Sequence, residues 1–498
     1  MMKFNRSSGV LLHVSSLPGA DGIGDLGEPA YEFVDFLVDT KTRFWQVLPL
    51  TPTGYGNSPY QGLSASAGNP LFIALDALIP IGLLSKNDLA HRPHFPRTRI
   101  DYGSVIPWKM EKLHLAYLNF KKLSPDGLVD QFKSFCRKNK NWLDDFALFM
   151  TIKNQQDLQS WDCWPKELRF RDAAGLKKFH KENSIPIEEQ KFQQFLFFDQ
   201  WMRVKKYANE HGVQIIGDIP IFVGYDCADT WTNPNLFYFD KDLKPTVVAG
   251  VPPDFFSKTG QLWGNPLYDW KKHKTSGYAW WIERIQQTLQ LVDVIRLDHF
   301  RGFAGYYEIP AGSKTAEHGK WVKGPGKDLF DALYKHFGEL PFIAEDLGVM
   351  TPDVIELRER YHLPGMKIVQ FGFNPSPEKG FIPHNIDANA VAYTGTHDNS
   401  TAKGWFKSVP KNAQENFRNY TGGSKESVPH AMIRILWQSI ALFAIVPMQD
   451  LLELGDDARM NFPGTLGGNW EWKLDEKWHT ARLQKWLLEM NQLYDRSC

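Results

Sequence analysis

Residues Val292–Asp298 read VDVIRLD and residues Pro341–Asp346 read PFIAED, two short apolar runs that each end on a carboxylate. Neither alternates cleanly between apolar and polar residues, as a strand with one wet face would. Runs of this kind suit strands covered on both faces, which is how parallel sheets are built. Six more stretches share the form: Gly9–Val14 (GVLLHV), Arg43–Leu50 (RFWQVLPL), Val213–Asp218 (VQIIGD), Met366–Phe371 (MKIVQF), Val391–Thr396 (VAYTGT) and Ala444–Gln449 (AIVPMQ). Between most of them lie segments with apolar residues at three- and four-residue intervals. Trp280–Gln290 precedes the fourth run, Lys327–Phe337 the fifth and Ala431–Phe443 the eighth. Strand and helix alternating eight times predicts an α/β chain folded as a (β/α)8 TIM barrel, one catalytic unit over residues 1–498.

The gap between the second and third runs is too long for one crossover. Residues 70–185 are therefore expected to form a mostly helical insertion between barrel strands 2 and 3. The stretch Glu188–Tyr207 reads as the amphipathic helix returning to the barrel, with Phe192, Phe195, Phe198, Trp201 and Met202 on one face. The chain has no low-complexity tract and no internal repeat.

Lys plus Arg number 57 and Asp plus Glu also 57, so the net charge is zero. A broad electrostatic footprint for nucleic acid or an anionic membrane is absent. The short basic stretches at Lys177–Lys181 and Lys271–Lys274 read as solvated faces. Four cysteines (Cys136, Cys163, Cys227, Cys498) without metal-ligand spacing are too sparse to staple a chain of this length, and imply a reducing compartment. With no secretory leader and no run long enough for a membrane span, the expected location is cytoplasmic. Aromatic residues make up 14% of the chain, and many stand beside Gly, Pro or Asn, where their rings can serve as flat binding surfaces.

Four strand ends carry an acid: Asp218, Asp298, Glu345 and, just past its strand, Asp398. A lone acid after an apolar run is usually a helix cap or a turn former. In a parallel barrel, however, all strands end on one face, so these four converge at one mouth. Arg296 lies two residues before Asp298 on the same side of its strand, and His299 and His397 flank the same acids. Asp346, facing away from its neighbour Glu345, reads as the cap of the next turn. Several carboxylates without a metal suit glycosidic bond cleavage: one attacks or stabilises the anomeric carbon, and another, kept protonated, delivers a proton to the leaving oxygen. Metal catalysis is the competing chemistry, but His13 stands alone and His299 and His397 lie on separate strands with no third histidine beside them. The segment Gly319–Gly324 lacks the lysine of a phosphate-binding loop and reads as a substrate-side turn.

At these residues the sequence resembles the 4-α-glucanotransferases of the amylomaltase type, glycoside hydrolase family 77 of the α-amylase clan. The matching segments run through nearly the whole chain. They include SSGVLLHVSSLPG from Ser7, WQVLPLTPTGYGNSPYQGLSASAGNPLFI from Trp45, GDIPIFVGYDCADTW from Gly217 and AGVPPDFFSKTGQLWGNPLYDW from Ala249. VIRLDHFRGF from Val294, IAEDLGVMTPDV from Ile343, THDN from Thr396 and RMNFPGTLGGNWEW from Arg459 complete the set.

The resemblance implies that Asp298 is the nucleophile, Glu345 the general acid/base and Asp398 the stabiliser of the transition state. It places Arg296, His299 and His397 around the sugar, with Asp218 in support and Ser58 and Tyr60 on the donor side. Trp263 and Asn461 match positions that line the groove. Residues 249–266 resemble the family's active-site lid loop, with Phe255 and Phe256 at its aromatic tip. One departure is Asn374, where the family often has an acid. The implied reaction moves a segment of an α-1,4-glucan (a maltooligosaccharide or amylose) to the 4-hydroxyl of glucose or another glucan through a covalent glucosyl-enzyme. No cofactor, nucleic acid or membrane is involved. The alternatives are an α-glucan hydrolase of the same clan and a non-catalytic glucan-binding protein with idle acids.

Overall fold

A computed structural model describes residues 5–124, 127–253, 257–465 and 467–497. Its strands are β1 (Ser7–Leu11), β2 (Phe44–Gln46), β3 (Gln214–Ile219), β4 (Val247–Val251), β5 (Gln261–Pro266) and β6 (Val294–Leu297). They continue as β7 (Gly305–Pro310), β8 (Lys320–Lys323), β9 (Phe342–Ala344), β10 (Gly365–Ile368), β11 (Ala390–Tyr393) and β12 (Phe443–Pro447). Eight of them close into a parallel barrel in the order β1-β12-β11-β10-β9-β6-β3-β2. These are the eight runs expected from the sequence, and helices cross between them as a (β/α)8 barrel requires.

Every residue of β1, β2, β6, β9, β11 and β12 is buried, because one face fills the barrel and the other lies under the helices. This double burial is the physical source of the uninterrupted apolar runs. Gly9 shows how closely the strands are drawn together: a Cβ there would come within 2.9 Å of the Phe44 Cβ on β2 and 3.2 Å of Ile445 on β12.

Between β2 and β3 the chain passes through helices Tyr102–Leu123, Leu128–Lys138, Lys140–Gln155 and Ala173–Glu182 before the long helix Ser184–Glu210. Phe192 of that helix stacks on Phe120 at 4.6 Å, and Phe198 packs against Trp142 at 5.6 Å. Trp201 carries the helix onto the barrel, its indole donating to the Leu291 carbonyl at 2.9 Å while its ring meets Trp45. Met202 does not join this stripe. It is 40% exposed, since one further residue rotates it about 100° away from Trp201. Among the described residues no helix is long and apolar enough to cross a membrane.

Beside the barrel stands a second sheet that the sequence does not announce, four antiparallel strands in the order β5-β4-β7-β8. It is inserted partly after β3 and partly after β6. The segment Gly319–Gly324, read as a turn, instead supplies its edge strand β8, in which Trp321 pairs with Tyr307 of β7. Trp321 and Val322 favour a strand, but four residues are too short a run to mark one alone, and pairing with β7 completes it.

At the opposite end of the barrel, Arg496 is fully buried and donates to the carbonyls of Ser439 (2.8 Å), Trp437 (2.9 Å), Ser7 (3.1 Å) and Ala441 (3.2 Å). It ties the C-terminus to β1 and to the segment entering β12. Arg496→Met leaves these acceptors without a donor and is expected to cost about 2–4 kcal/mol, read as a lower urea midpoint. An unchanged midpoint would show that the contact contributes nothing to stability.

Candidate active site

Asp218 and Arg296 are cross-strand partners in the β3–β6 pairing, so their side chains emerge together at the barrel mouth. Arg296 Nη1 donates to both oxygens of Asp218 (2.8 and 2.7 Å) and to Oδ1 of Asp298 (2.9 Å). Burial alone would lower the arginine pKa, but the two carboxylates hold it well above its ordinary value. One fixed cation thus compensates two acids that would otherwise repel each other. Tyr60 closes the far side of Asp218, its hydroxyl donating to Oδ2 at 2.8 Å. Burial pushes the Asp218 pKa upward against the pull of Arg296, with the Asp298 charge adding to the rise.

Past β6 the chain turns sharply. Asp298 N–H donates to the Ile219 carbonyl at 3.0 Å, and His299 adopts a left-handed conformation (φ 49°), unusual for a residue with a side chain. That conformation aims the His299 N–H at Oε2 of Glu345, 2.7 Å away. Phe300 N–H meets the Glu345 carbonyl at 2.9 Å, and Glu345 N–H returns to Leu297 at 3.0 Å. The segment bearing Asp298 and the segment bearing Glu345 are therefore laced together by their main chains. Burial raises the Glu345 pKa to about 8, and the charge of Asp298 adds to the rise, while Arg296 and the His299 N–H oppose it.

Asp398 has the opposite environment. Although desolvation in the cleft pushes its pKa up, His397 Nε2 at 3.3 Å and the Asn461 amide at 2.6 Å prevail and bring it down to about 2. The loop carrying it is held from below by Asp450, which is fully buried and accepts from the Thr394 hydroxyl at 2.6 Å and the Ala402 N–H at 2.7 Å. Arg459 donates to the Asp398 carbonyl from the other side. The sequence alone gives Asp450 and Arg459 no role. For Asp450 the signal was present: it follows an apolar run, as Asp218 and Asp298 do.

The Tyr60 ring stacks on His397 with centroids 5.1 Å apart and planes 16° from parallel, and Trp470 leans against both. One face of Tyr60 is thus covered by protein. Ser58 accepts the Tyr60 N–H at 3.3 Å and sets the turn that presents the ring. Trp263 on β5 sits edge-on to His299 at 4.8 Å. Burial lowers the His299 pKa to about 4, so the imidazole is neutral at physiological pH. Phe255 and Phe256 lie outside the described residues.

Three other residues found partners that the sequence did not foretell. Asp346 is not a turn cap. It accepts the Met366 N–H at 2.7 Å and pairs with Arg358 at 2.6 Å, joining the end of β9 to β10. Asn374 accepts the Trp405 indole at 3.0 Å. His13 is buried against Phe72, and that burial takes its pKa down to about 3.

The barrel mouth therefore brings together Asp218, Asp298, Glu345 and Asp398 with Arg296, His299, His397, Tyr60 and Asn461, and sets the protonation of its acids apart. Comparison with known proteins points the same way. Residues 12–479 match the profile of the family described as 4-alpha-glucanotransferase. A 4-alpha-glucanotransferase of Streptococcus pneumoniae is 48% identical over 495 residues, covering 99% of this chain and 97% of that protein. One from Synechocystis is 46% identical over 486 residues, covering 97% and 95%. The amylomaltase of Streptococcus agalactiae, solved in complex with acarbose, superposes with a TM-score of 0.96 at 40% identity, covering 99% of this chain and all of that one. With near-complete coverage by sequence and by fold, this chain belongs to the 4-alpha-glucanotransferase family.

Proposed function

We propose a retaining double displacement as the route by which this 4-α-glucanotransferase moves a segment of an α-1,4-glucan to glucose or another glucan. Asp298 Oδ attacks the anomeric carbon while Glu345 gives its proton to the departing O4, forming the glucosyl ester and releasing the reducing-end fragment. Glu345, now ionised, takes the proton from the 4-hydroxyl of the acceptor, whose oxygen displaces Asp298. Two inversions restore the α configuration. Asp398, ionised throughout the working range, stabilises positive charge on the distorted sugar, and Arg296 keeps Asp298 free to act as a nucleophile. Trp263 lines the side on which the acceptor enters.

The observation that carries this reading is the raised pKa of Glu345, which keeps a proton on this acid at neutral pH, beside a second carboxylate, Asp298, that accepts from Arg296. Chromatography of products from maltotriose alone tests the activity. A ladder of longer chains plus glucose is the transferase outcome; shorter sugars alone would indicate the hydrolase. A cytoplasmic setting fits the free thiols of Cys136, Cys163 and Cys227.

The pH dependence has a defined sign. The first step needs Glu345 protonated, and its pKa stands at about 8 rather than in the usual carboxylate range. Activity is therefore maintained through neutrality and lost on the alkaline side, with kcat/KM falling about tenfold per pH unit once Glu345 ionises. A profile that declined instead between pH 4 and 6 as the pH rose would place the proton on another group.

A further inference from the structure

The antiparallel sheet holds the turn after Asp298 from both of its edges. On β5, Trp263 meets His299 edge-on. On the opposite edge strand, β8, the Trp321 ring lies 3.8 Å from the guanidinium carbon of Arg301. Trp321 is braced in turn by Tyr307, with ring centroids 5.3 Å apart. Arg301 then reaches to the neighbouring loop, where Nη1 donates to the carbonyl of Val349.

That bond completes a series. Glu345 Oε2 accepts the N–H of His299, two residues before Arg301, and Glu345 Oε1 accepts the N–H of Leu347 at 3.3 Å, two residues before Val349. Both donors to the Glu345 carboxyl thus sit on backbone segments that the Arg301–Val349 contact ties together. The Val349 side chain is 73% exposed and cannot anchor its loop, and Gly348 beside it bends the chain through φ 89°. A guanidinium suits this position because its plane can stack on an indole while its edge donates to a carbonyl, which an ammonium cannot do at once.

We propose that Arg301, seated on Trp321, is a positioning residue that holds the Glu345 carboxyl in the orientation needed for proton delivery. The inference rests on Glu345 being the acid/base. It extends that reading by making the antiparallel sheet part of the machinery through which the acid is aimed.

The test compares two donors: maltotriose, whose leaving sugar must be protonated, and α-glucosyl fluoride, whose leaving fluoride needs no acid. Arg301→Met and Trp321→Ala are expected to lower kcat on maltotriose by roughly 10- to 100-fold, with first-turnover fluoride release within about threefold of the parent. Maltotriose KM should change little, and Trp321→Phe, which keeps a ring under the guanidinium, should recover most of the lost rate. Equal losses on both donors would overturn the proposal in favour of a general structural role, as would a Trp321→Phe variant as impaired as Trp321→Ala. Undiminished turnover of maltotriose by Arg301→Met would overturn it outright. Glu345→Gln, run alongside, reports separately on the acid: loss on both donors there defeats the acid assignment itself, whatever the Arg301 variants do.

Discussion

Asp298→Ala is expected to reduce transfer from maltotriose on the order of 10⁴-fold, about 5.5 kcal/mol of transition-state stabilisation. Among the described residues, the other acids of the mouth are held in place by partners of their own. Asp218 shares Arg296 with it, but both its oxygens are committed to that guanidinium and one also accepts from Tyr60. Asp398 is tethered by Asn461 and His397. The loss should be chemical rather than structural, because Arg296 keeps its two bonds to Asp218 and the barrel mouth stays neutralised. Thermal melting of the variant beside the parent checks that point. Added azide, small enough to enter the vacated space, should restore turnover and give a β-configured glucosyl azide, since only one inversion then occurs. Near-normal transfer without azide would refute the nucleophile assignment.

Glu345→Gln carries the second large effect. The amide oxygen can still accept the His299 N–H, the shorter of the two backbone bonds, while the longer bond from the Leu347 N–H loses its acceptor and the transferable proton is gone. Turnover of maltotriose is expected to fall roughly 10²- to 10⁴-fold, the range for loss of general acid/base catalysis. First-turnover release of fluoride from α-glucosyl fluoride should remain close to that of the parent. The alkaline decline near pH 8 should also vanish from the profile, because the group responsible for it has been removed. A variant that kept this limb would trace it to a different residue.

The strands of the barrel were legible for a physical reason. Burial on two faces removes polar residues from whole runs such as Ala390–Tyr393 and Phe443–Pro447, and that depletion needs no knowledge of neighbours. Strand-end acids were legible because a closed parallel barrel has one C-terminal face, so position along the chain translates into position in space. The second sheet was not legible. β8 is too short to stand out without β7 beside it, and the first four residues of β5 are exposed or half-buried, as in a loop. Asp346 shows the same limit in one side chain: its partners, Arg358 and the Met366 N–H, belong to elements that follow it by 12 and 20 residues.

The order of the residues was enough to assign the barrel, the face on which its acids gather and the family to which the chain belongs, because each rests on patterns local in sequence or on whole matching motifs. Folding in three dimensions settled how charge and protons are shared among those acids. Arg296 serves two carboxylates at once, His299 turns its N–H onto Glu345, and Asn461 and His397 hold Asp398 ionised. Each of these arrangements depends on burial and on groups brought together from distant parts of the chain. Proton affinity follows from that surrounding field, which no stretch of sequence contains.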